Sequence, residues 1–572
     1  MSQDSTDLII IARALQAAAD EMATNLIRSA FSAVVREARD CSTALLDARG
    51  RVVAQADLIP MQTAALNESF RCAAEQLELA KVGPGHAILL NDPYSGGQHL
   101  NDIILFTPIF HDGALLAWSG STAHHLDIGG GSPGVNTTAR ELIQEGVVIP
   151  PLLIDVDRDW HGGMIERLIF ANVRTPEVGL GDVNAQFAAN HLGRARVLAM
   201  ARRHGADTVR AAMEAALDYS ERRMRAGIAE LPDGTWTGEA FLDGDGRAAE
   251  PVRVIATVTI KGDEAILDFT GTAPQVRGMF NCPIASSMAG ALTALRCVLA
   301  DKDMPANDGC NRPVTMIFPV GSILNPRKGA PVRARATAAA RALDAVHSAL
   351  DQIVPERVPA QGSNTTTSFN LTRERDDGGT DLHLDIIGGG WGGAADYDGI
   401  HATDHILSSC RLTPVESIEQ LSPHLLMQSF GLVVDSGGAG EFNGGMGLYR
   451  RVLVREAGVS VSLYSDRFDL PARGRQHGGD GKRAWLRVFR GDQTIDLNGA
   501  SRFALERGDV VEIATAGGGG WGDPRRRRRE AIAQDLSNGL VSLGFAARAY
   551  GWSSADGQRP LARQGSSASS VE

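Results

Sequence analysis

Two glycine-rich stretches hold the side chains of this sequence that are best suited to chemistry. The first is "NDPYSGGQHLNDII" at residues 91–104, in which His99 stands three positions before Asp102. On a strand these two side chains would point to opposite faces, but in a turn or short helix they lie on one side and can share a cation. Gly96 and Gly97 come shortly before them and favour a turn.

The second stretch, "AHHLDIGGGSPG" at residues 123–134, contains His124, His125 and Asp127. Two imidazoles and one carboxylate form a facial set that suits Fe(II), Mn(II) or Zn(II) and leaves positions open for water or substrate. Neither stretch contains cysteine, which argues against a closed structural zinc site. The spacing is not a standard ligand pattern, so the alternative stays open that His99 caps a turn and His124 is a satisfied core histidine.

The segments around these loops alternate between helix and strand patterns. Apolar residues repeat near every 3.6 positions from Leu8 to Phe31, which predicts a helix within residues 6–40. Further helices are predicted at 64–80, 183–228, 283–300 and 330–353, with one Ala-rich helix after Pro524. Strands are predicted on either side of an Asp-Ala-Arg-Gly turn, at "AILLND", about His111-Asp112-Gly113, in a meander from residue 231 and throughout 380–520.

This order of elements predicts a mixed α+β fold with several domains, strand-rich with Gly-rich turns and helical at its N-terminal region. We expect a mixed α/β domain at 1–228 carrying the His/Asp loops, because the pattern changes from helix to strand near residue 228. A strand-rich region with Gly-rich turns would follow at 229–523, and a helix with a disordered tail at 524–572. The glycines within 437–447 are expected to make tight turns in a sheet rather than to hold a phosphate.

The composition excludes several classes of function. The net charge of −12 argues against nonspecific nucleic-acid binding, and the run Arg525–Arg529 is interpreted as a solvated helix start or linker. The N-terminal stretch lacks a signal-peptide pattern and a membrane-spanning apolar run. Six widely spaced cysteines without CxxC predict reduced thiols, so a cytoplasmic protein with no membrane contact is expected. No P-loop occurs, and the GxGxxG letters at 388–393 are not followed by a helix pattern.

Several long motifs resemble the hydantoinase B/oxoprolinase family. They are, in order, "NDPYSGGQHLNDIILFTPIF", "AHHLDIGGGSPG", "QEGVVIPPLLI", "NVRTPEVGLGDVNAQFAANHLG", "DFTGTAPQVRGMFN", "DSGGAGEFNGGMGLYRR" and "GGGGWGDP". They extend from about residue 5 to about residue 550, so the resemblance covers nearly the whole chain.

The resemblance implies a partner subunit of the hydantoinase A type, which carries the ATP site, and hence a hetero-oligomer. It implies a small-molecule substrate, either a cyclic amide such as a hydantoin, 5-oxoproline or a lactam, or a ketone. The leading expectation is the metal-bearing subunit of an ATP-dependent cyclic amide hydrolase. The alternatives are the matching subunit of an acetone- or acetophenone-type carboxylase and a noncatalytic scaffold for the ATP-binding subunit.

Carried over from the carboxylase branch, the resemblance implies a divalent metal, Mn, Zn or Fe, held by His99, Asp102 and His124. It leaves His125 and Asp127 as candidates for a general base or for orienting the ligands. Other polar residues in these motifs are expected to orient loops or line the pocket: Asn91, Asp92, Asp182, Gln186 and Asn190. Arg277 and Asn364 are candidates for binding an anion such as phosphate, or for a surface salt bridge or turn.

The chain departs from the family pattern at two segments. Thr63-Ala64-Ala65 stands where "HLG" is usual, and "CRLTPVE" (Cys410–Glu416) replaces "TNTPVE". If these segments touch the substrate, that substrate differs from the hydantoins.

Overall fold

A computed structural model describes residues 3–247, 250–301 and 303–553, and the predicted mixed α+β fold is confirmed. The helices in the described residues are α1 Gln3–Ser29, α2 Ala33–Arg36, α3 Pro60–Gln76, α4 Val156–Asp159, α5 Met164–Phe170, α6 Pro176–His204, α7 Ala206–Ile228, α8 Ile284–Val298, α9 Arg335–Leu350, α10 Val415–Leu421, α11 Arg529–Ser537 and α12 Leu543–Tyr550. The strands there are β1 Cys41–Asp47, β2 Val52–Gln55, β3 His86–Leu90, β4 Asp102–His111, β5 Ala114–His124, β6 Leu152–Asp155, β7 Gly234–Leu242, β8 Val252–Lys261, β9 Glu264–Asp268, β10 Val314–Ile317, β11 Thr367–Glu374, β12 Thr380–Ile387, β13 Leu425–Leu432, β14 Leu448–Val454, β15 Val459–Tyr464, β16 Trp485–Arg490, β17 Gln493–Leu497, β18 Ala500–Ala504 and β19 Val510–Ala514.

The first sheet, of order β2-β1-β5-β4-β3-β6, carries both His-bearing loops at its strand ends. Strands β4 and β5 form the predicted hairpin, which turns at Asp112 (φ 50°) and Gly113 (φ 79°) as a tight two-residue loop requires. Most residues of both strands are buried, because α1 and α6 cover one face of the sheet and α3 lies on the other. This double cover makes the sheet a rigid support for the loops at its ends.

Three further sheets complete the fold. Their strand orders are β10-β9-β8-β7, β12-β11-β15-β18 and β13-β14-β19-β16-β17. Helices α8 and α9 pack against the first of these and contribute to the largest hydrophobic cluster. Helix α9 is buried almost throughout, so the charged side chains that it carries lie in the protein interior.

The Gly-rich segments pack backbone against backbone instead of forming the expected tight turns. A Cβ added at Gly390 would lie 1.9 Å from the Gly445 carbonyl oxygen, and one at Gly518 would lie 1.9 Å from that of Trp391. The Gly518 N–H donates to the Gly445 oxygen at 3.0 Å, and the Gly445 N–H donates to the Trp391 oxygen at 2.8 Å. Glycine is needed there because a side chain would separate these segments, and the positive φ of a turn is found in neither 388–393 nor 437–447.

Three helix predictions differ from the observed elements. Helix α1 ends at Ser29, so Phe31 leaves the apolar stripe and is 62% exposed. The helical region 183–228 is divided into α6 and α7 at Gly205, whose φ of 87° ends the first helix. The segment after Pro524 forms two helices, α11 and α12, because Gly539 with φ 68° interrupts the pattern.

The predicted boundaries at 228 and 523 stay predictions. The largest hydrophobic cluster includes Ile59, Met224, Leu231 and Tyr464, which lie on both sides of residue 228. The expected disordered tail falls outside the described residues. Among the helices that are described, none has the length and apolar character needed to traverse a bilayer.

Candidate metal centre

His99 and Asp102 lie on one side of a turn, as their spacing predicts. The Asp102 N–H donates to the His99 carbonyl oxygen at 3.0 Å, which closes the turn just before β4 begins. Gly96 (φ 83°) leads into it, and a Cβ at this position would lie 2.5 Å from the Glu68 carbonyl oxygen. Both conformation and space therefore require glycine there.

His124 reaches the same point from the neighbouring strand. It is the last residue of β5 and lies directly opposite Asp102 in the antiparallel register. Its Nδ1 is 3.5 Å from Asp102 Oδ1, while His99 Nδ1 is 3.1 Å from Asp102 Oδ2. The imidazole centroids of His99 and His124 are 4.7 Å apart, and the candidate donor atoms of the three residues all lie within 4.8 Å of one another. We call His99, Asp102 and His124 the His–Asp–His trio.

The donor set fits a divalent cation. All three residues are at most 5% exposed, and His99 Nδ1 and His124 Nε2 have no hydrogen-bond partner in the described chain. Buried polar atoms are almost always satisfied, so orphaned ring nitrogens beside a carboxylate indicate a missing ligand. Two imidazoles and one carboxylate match the preferences of Zn(II), Mn(II) and Fe(II).

Electrostatics favour the protonation states that bind a metal. Burial lowers the pKa of His99, and it lowers that of His124 to about 4, so both rings are neutral near pH 7. Burial alone would raise the pKa of Asp102, but the neighbouring His99 and Arg335 outweigh it and hold that pKa well below its usual range. Neutral imidazoles and an ionised carboxylate are the forms that coordinate metals.

Sequence analysis missed a second carboxylate, Asp40, beside the trio. Its Oδ2 is 3.4 Å from His124 Nδ1, and its Oδ1 accepts from Gln62 Nε2 at 2.7 Å. Burial, followed by the nearby charge of Asp102, raises the pKa of Asp40 to about 8. Asp40 directly precedes β1, which pairs with β5, so its position depends on a strand order that the local pattern does not reveal.

Two buried arginines also escaped the sequence analysis. Arg335, the first residue of α9, donates from Nη2 to Asp102 Oδ2 at 2.7 Å and to Gln98 Oε1 at 2.8 Å. Arg333 donates to Asn101 Oδ1, and its Nε has no hydrogen-bond partner among the described residues. A charged residue in an Ala-rich, otherwise apolar helix was the one available signal, and it could have indicated Arg335.

A cavity of about 30 Å³ opens onto the trio. It is lined by Asp40, Gln62, His99, His124 and Tyr464, among others. This space can hold an ion with a water molecule.

The structure differs from the expectation for His125 and Asp127. His125 Nε2 lies 3.3 Å from Gln186 Oε1 of α6, on the side of the strand away from the trio. Asp127 Oδ2 accepts from the backbone N–H groups of Gly129 and Arg174, and its Oδ1 is 3.1 Å from Arg174 Nη1. These contacts stabilise the loop after β5, so the geometry gives no support to a general-base role for either residue.

The other polar residues of the His-bearing region and of α6 support loops. Asn91 donates to the carbonyl oxygens of Leu100 and Val147, and Asp92 accepts from the Tyr94 N–H. Along one face of α6, Asp182 accepts from backbone N–H groups of the α1–α2 connection, Gln186 donates to Ile103 O, and Asn190 donates to Leu105 O. These bonds join α6 to β4 and thereby fix the start of the strand at Asp102.

Arg277 and Asn364 lie apart from the trio's recorded contacts. Arg277 is exposed, and its proposed role in anion binding stays a prediction. Asn364, with φ 40°, donates to Asp344 Oδ1 at 2.9 Å within a buried cluster that includes Arg341 and Arg467.

The two segments that depart from the family pattern meet at one cavity. Thr63 of α3 and Arg411 both line a space of about 460 Å³ next to the trio. Cys410 is buried, and burial raises the pKa of its thiol well above the usual range, which fits an inert packing role.

Comparison with known proteins gives a consistent result along the chain. A family model described as hydantoinase B/oxoprolinase matches residues 4–524. One of the subunits of a putative D-/L-hydantoinase from Pseudomonas sp. (strain NS671) is 30% identical over 567 residues, which are 96% of this chain and 95% of that protein. A crystal structure of ATP-dependent caprolactamase from Pseudomonas jessenii contains a chain that matches with a TM-score of 0.89 and 29% identity over 96% of each chain. A nucleotide-free acetone carboxylase structure matches with a TM-score of 0.85 over 96% of this chain and 80% of that one, and its 19% identity supports a likeness of fold alone.

Proposed function

The chain belongs to the hydantoinase B/oxoprolinase family, and from this premise we propose that it is the metal-bearing subunit of an ATP-dependent cyclic amide hydrolase. The observation that carries the proposal is the convergence of His99, Asp102 and His124 on one buried point. Similarity to a hydantoinase subunit and to an ATP-dependent caprolactamase supports a ring amide as the substrate class.

His99, Asp102 and His124 would hold a divalent cation, Mn, Zn or Fe. When bound, such a cation lowers the pKa of a coordinated water and stabilises negative charge on a carbonyl oxygen. The 2.7 Å contact from Arg335 fixes the orientation of Asp102. Arg333, a buried guanidinium without a carboxylate partner among the described residues, favours negative charge at this end of the cavity.

Asp40 is the side chain best positioned to accept a proton. Its carboxylate lines the cavity beside His124 and belongs to none of the three donors, whereas His125 and Asp127 are engaged elsewhere. A general base must lie within hydrogen-bond reach of the proton it removes, directly or through one water. We therefore propose Asp40 in the role that sequence analysis gave to His125 or Asp127.

The ATP site is proposed to lie on a partner subunit of the hydantoinase A type. This chain contains no P-loop, while a similar solved enzyme is described as ATP-dependent and a similar relative is named as one subunit of a hydantoinase. Phosphorylation of the amide oxygen by the partner would convert it into a leaving group, and ring opening would then take place at the trio.

The proposal is tested by purifying the chain with its ATP-binding partner and assaying hydantoin, 5-oxoproline, caprolactam and acetone. We expect ATP-dependent opening of at least one ring amide, with loss of turnover in the His99→Ala complex. Turnover of acetone that requires bicarbonate would instead support the ketone carboxylase. Full turnover by the His99→Ala complex, together with no bound metal in the wild type, would support the scaffold.

A further inference from the structure

Three arginines line the cavity of about 460 Å³ that lies next to the trio. Arg39 follows α2, Arg296 lies in α8, and Arg411 lies in the segment before α10. We call this space the arginine chamber. It is many times larger than the cavity at the trio and can hold a small organic molecule.

The three guanidinium groups lack carboxylate partners. Among the described residues, no carboxylate lies within 4.0 Å of any of them, and the recorded side-chain contact of Arg296 is with the Met304 carbonyl oxygen at 3.4 Å. Asp57, exposed at the chamber wall, is the one acidic residue in the lining. The chamber therefore carries an excess of positive charge, although the whole chain has a net charge of −12.

Only one layer of residues separates the arginine chamber from the trio. Neighbouring residues of the same segments line the two spaces in turn: Arg39 faces the chamber and Asp40 the trio, and Ser409 and Ser408 divide in the same way. In the segment that enters α3, Leu58, Pro60 and Thr63 line the chamber, whereas Ile59, Met61 and Gln62 line the cavity at the trio.

We propose that the arginine chamber is an anion-binding site for the compound that reacts at the trio. Guanidinium groups hold carboxylate and phosphate oxygens in paired hydrogen bonds, and unpaired arginines in a partly enclosed space gain most from such a ligand. The bound group is an oxyanion with two possible sources: a carboxylate of the ring compound, or the phosphoryl group added by the partner. The second source rests on the proposed function, while the first needs only a carboxylate-bearing ligand.

The test is calorimetric titration of the intact chain with inorganic phosphate and, separately, with 5-oxoproline. The variants are Arg411→Gln and Arg39→Gly; Arg39 has φ 60°, which glycine adopts without strain. Arg507→Gln is the matched control, because Arg507 is exposed like Arg411, lies outside the chamber lining and has no recorded ion pair. Circular dichroism verifies that each variant is folded.

We expect both chamber variants to weaken binding by about tenfold or more, the scale of one hydrogen-bonded charge, while the control is unchanged. Weakening with phosphate alone identifies the phosphoryl group, and weakening with 5-oxoproline alone identifies the carboxylate. Failure of the wild type to bind either ligand at millimolar concentrations, or equal affinities in all folded variants, overturns the proposal.

Metal content separates this proposal from the proposed function. Arg411→Gln is expected to retain the metal of the wild type and lose anion affinity, whereas His99→Ala loses metal and keeps its affinity for phosphate. If no ring amide is turned over, the titrations still decide whether the arginine chamber binds oxyanions.

Discussion

Asp102 and His124 lie directly opposite each other at the paired ends of β4 and β5, with Asp102 Oδ1 3.5 Å from His124 Nδ1. The hairpin register thus brings the second histidine to the acid, while the turn before β4 brings His99 to it from the other side. Two local features of the chain, a tight turn and a hairpin, are sufficient to assemble the trio.

Replacing His99 with alanine is expected to remove the metal. We predict that bound metal falls from near one ion per chain by at least about tenfold, since even residues that support metal ligands change affinity by ~10–100-fold. His111→Ala is the control, because His111 ends β4 at the far end of the hairpin. Elemental analysis of the purified chains measures the effect, and equal metal in all three proteins would contradict it.

Asp40→Asn is expected to lower turnover while the protein keeps its metal. Loss of a general base reduces kcat by roughly 10²–10⁴-fold. The amide is close in shape to the carboxylate and can still pair with Gln62, so folding is preserved. Steady-state kinetics of the complex provides the measurement. An unchanged kcat would exclude Asp40 from proton transfer.

Asp127→Asn is expected to reduce stability and to leave metal content unchanged. The variant loses a buried ion pair with Arg174 and weakens the bonds to two backbone N–H groups, at a cost of about 1–3 kcal/mol. Urea unfolding monitors the free energy of unfolding. A variant of normal stability that had lost turnover would restore Asp127 as a catalytic residue.

The pH dependence of stability is expected to respond to His347. Burial, assisted by the charge of Arg475, lowers the pKa of His347 from 6.5 to about 4. Between these values the unfolded chain binds a proton that the folded chain does not, so the free energy of unfolding falls as the pH decreases. His347→Gln should reduce that slope by up to about 1.4 kcal/mol per pH unit. Urea unfolding at pH 6.5 and 4.5 compares the two proteins, and equal slopes would refute the prediction.

Gly518→Ala is expected to destabilise the protein by at least about 1–3 kcal/mol, the usual cost of overpacking. The added Cβ would lie 1.9 Å from the Trp391 carbonyl oxygen, so neighbouring backbone would have to move. Gly85→Ala serves as the control, because a Cβ there meets nothing within 4 Å. Thermal unfolding distinguishes the two variants. Similar midpoints would show that the Gly-rich segments do not need this close approach.

The elements near the trio could be predicted from sequence because their signals are local. The turn at His99 and Asp102, the hairpin at Asp112 and Gly113, and the long helices each follow from residues a few positions apart. Asp40 and Arg335 could not be found in this way, since strand pairing and the burial of α9 bring them to the trio from distant parts of the chain. The Gly-rich segments were misinterpreted for the same reason.

The most direct test of the metal centre is anomalous diffraction from crystals of the metal-loaded chain, recorded at the absorption edge of the metal that elemental analysis identifies. We predict a single strong peak about 2.0–2.3 Å from donor atoms of His99, Asp102 and His124, the usual range for nitrogen and oxygen ligands. A peak at other residues, or none at the trio in crystals of protein that retains its metal, would contradict the central claim.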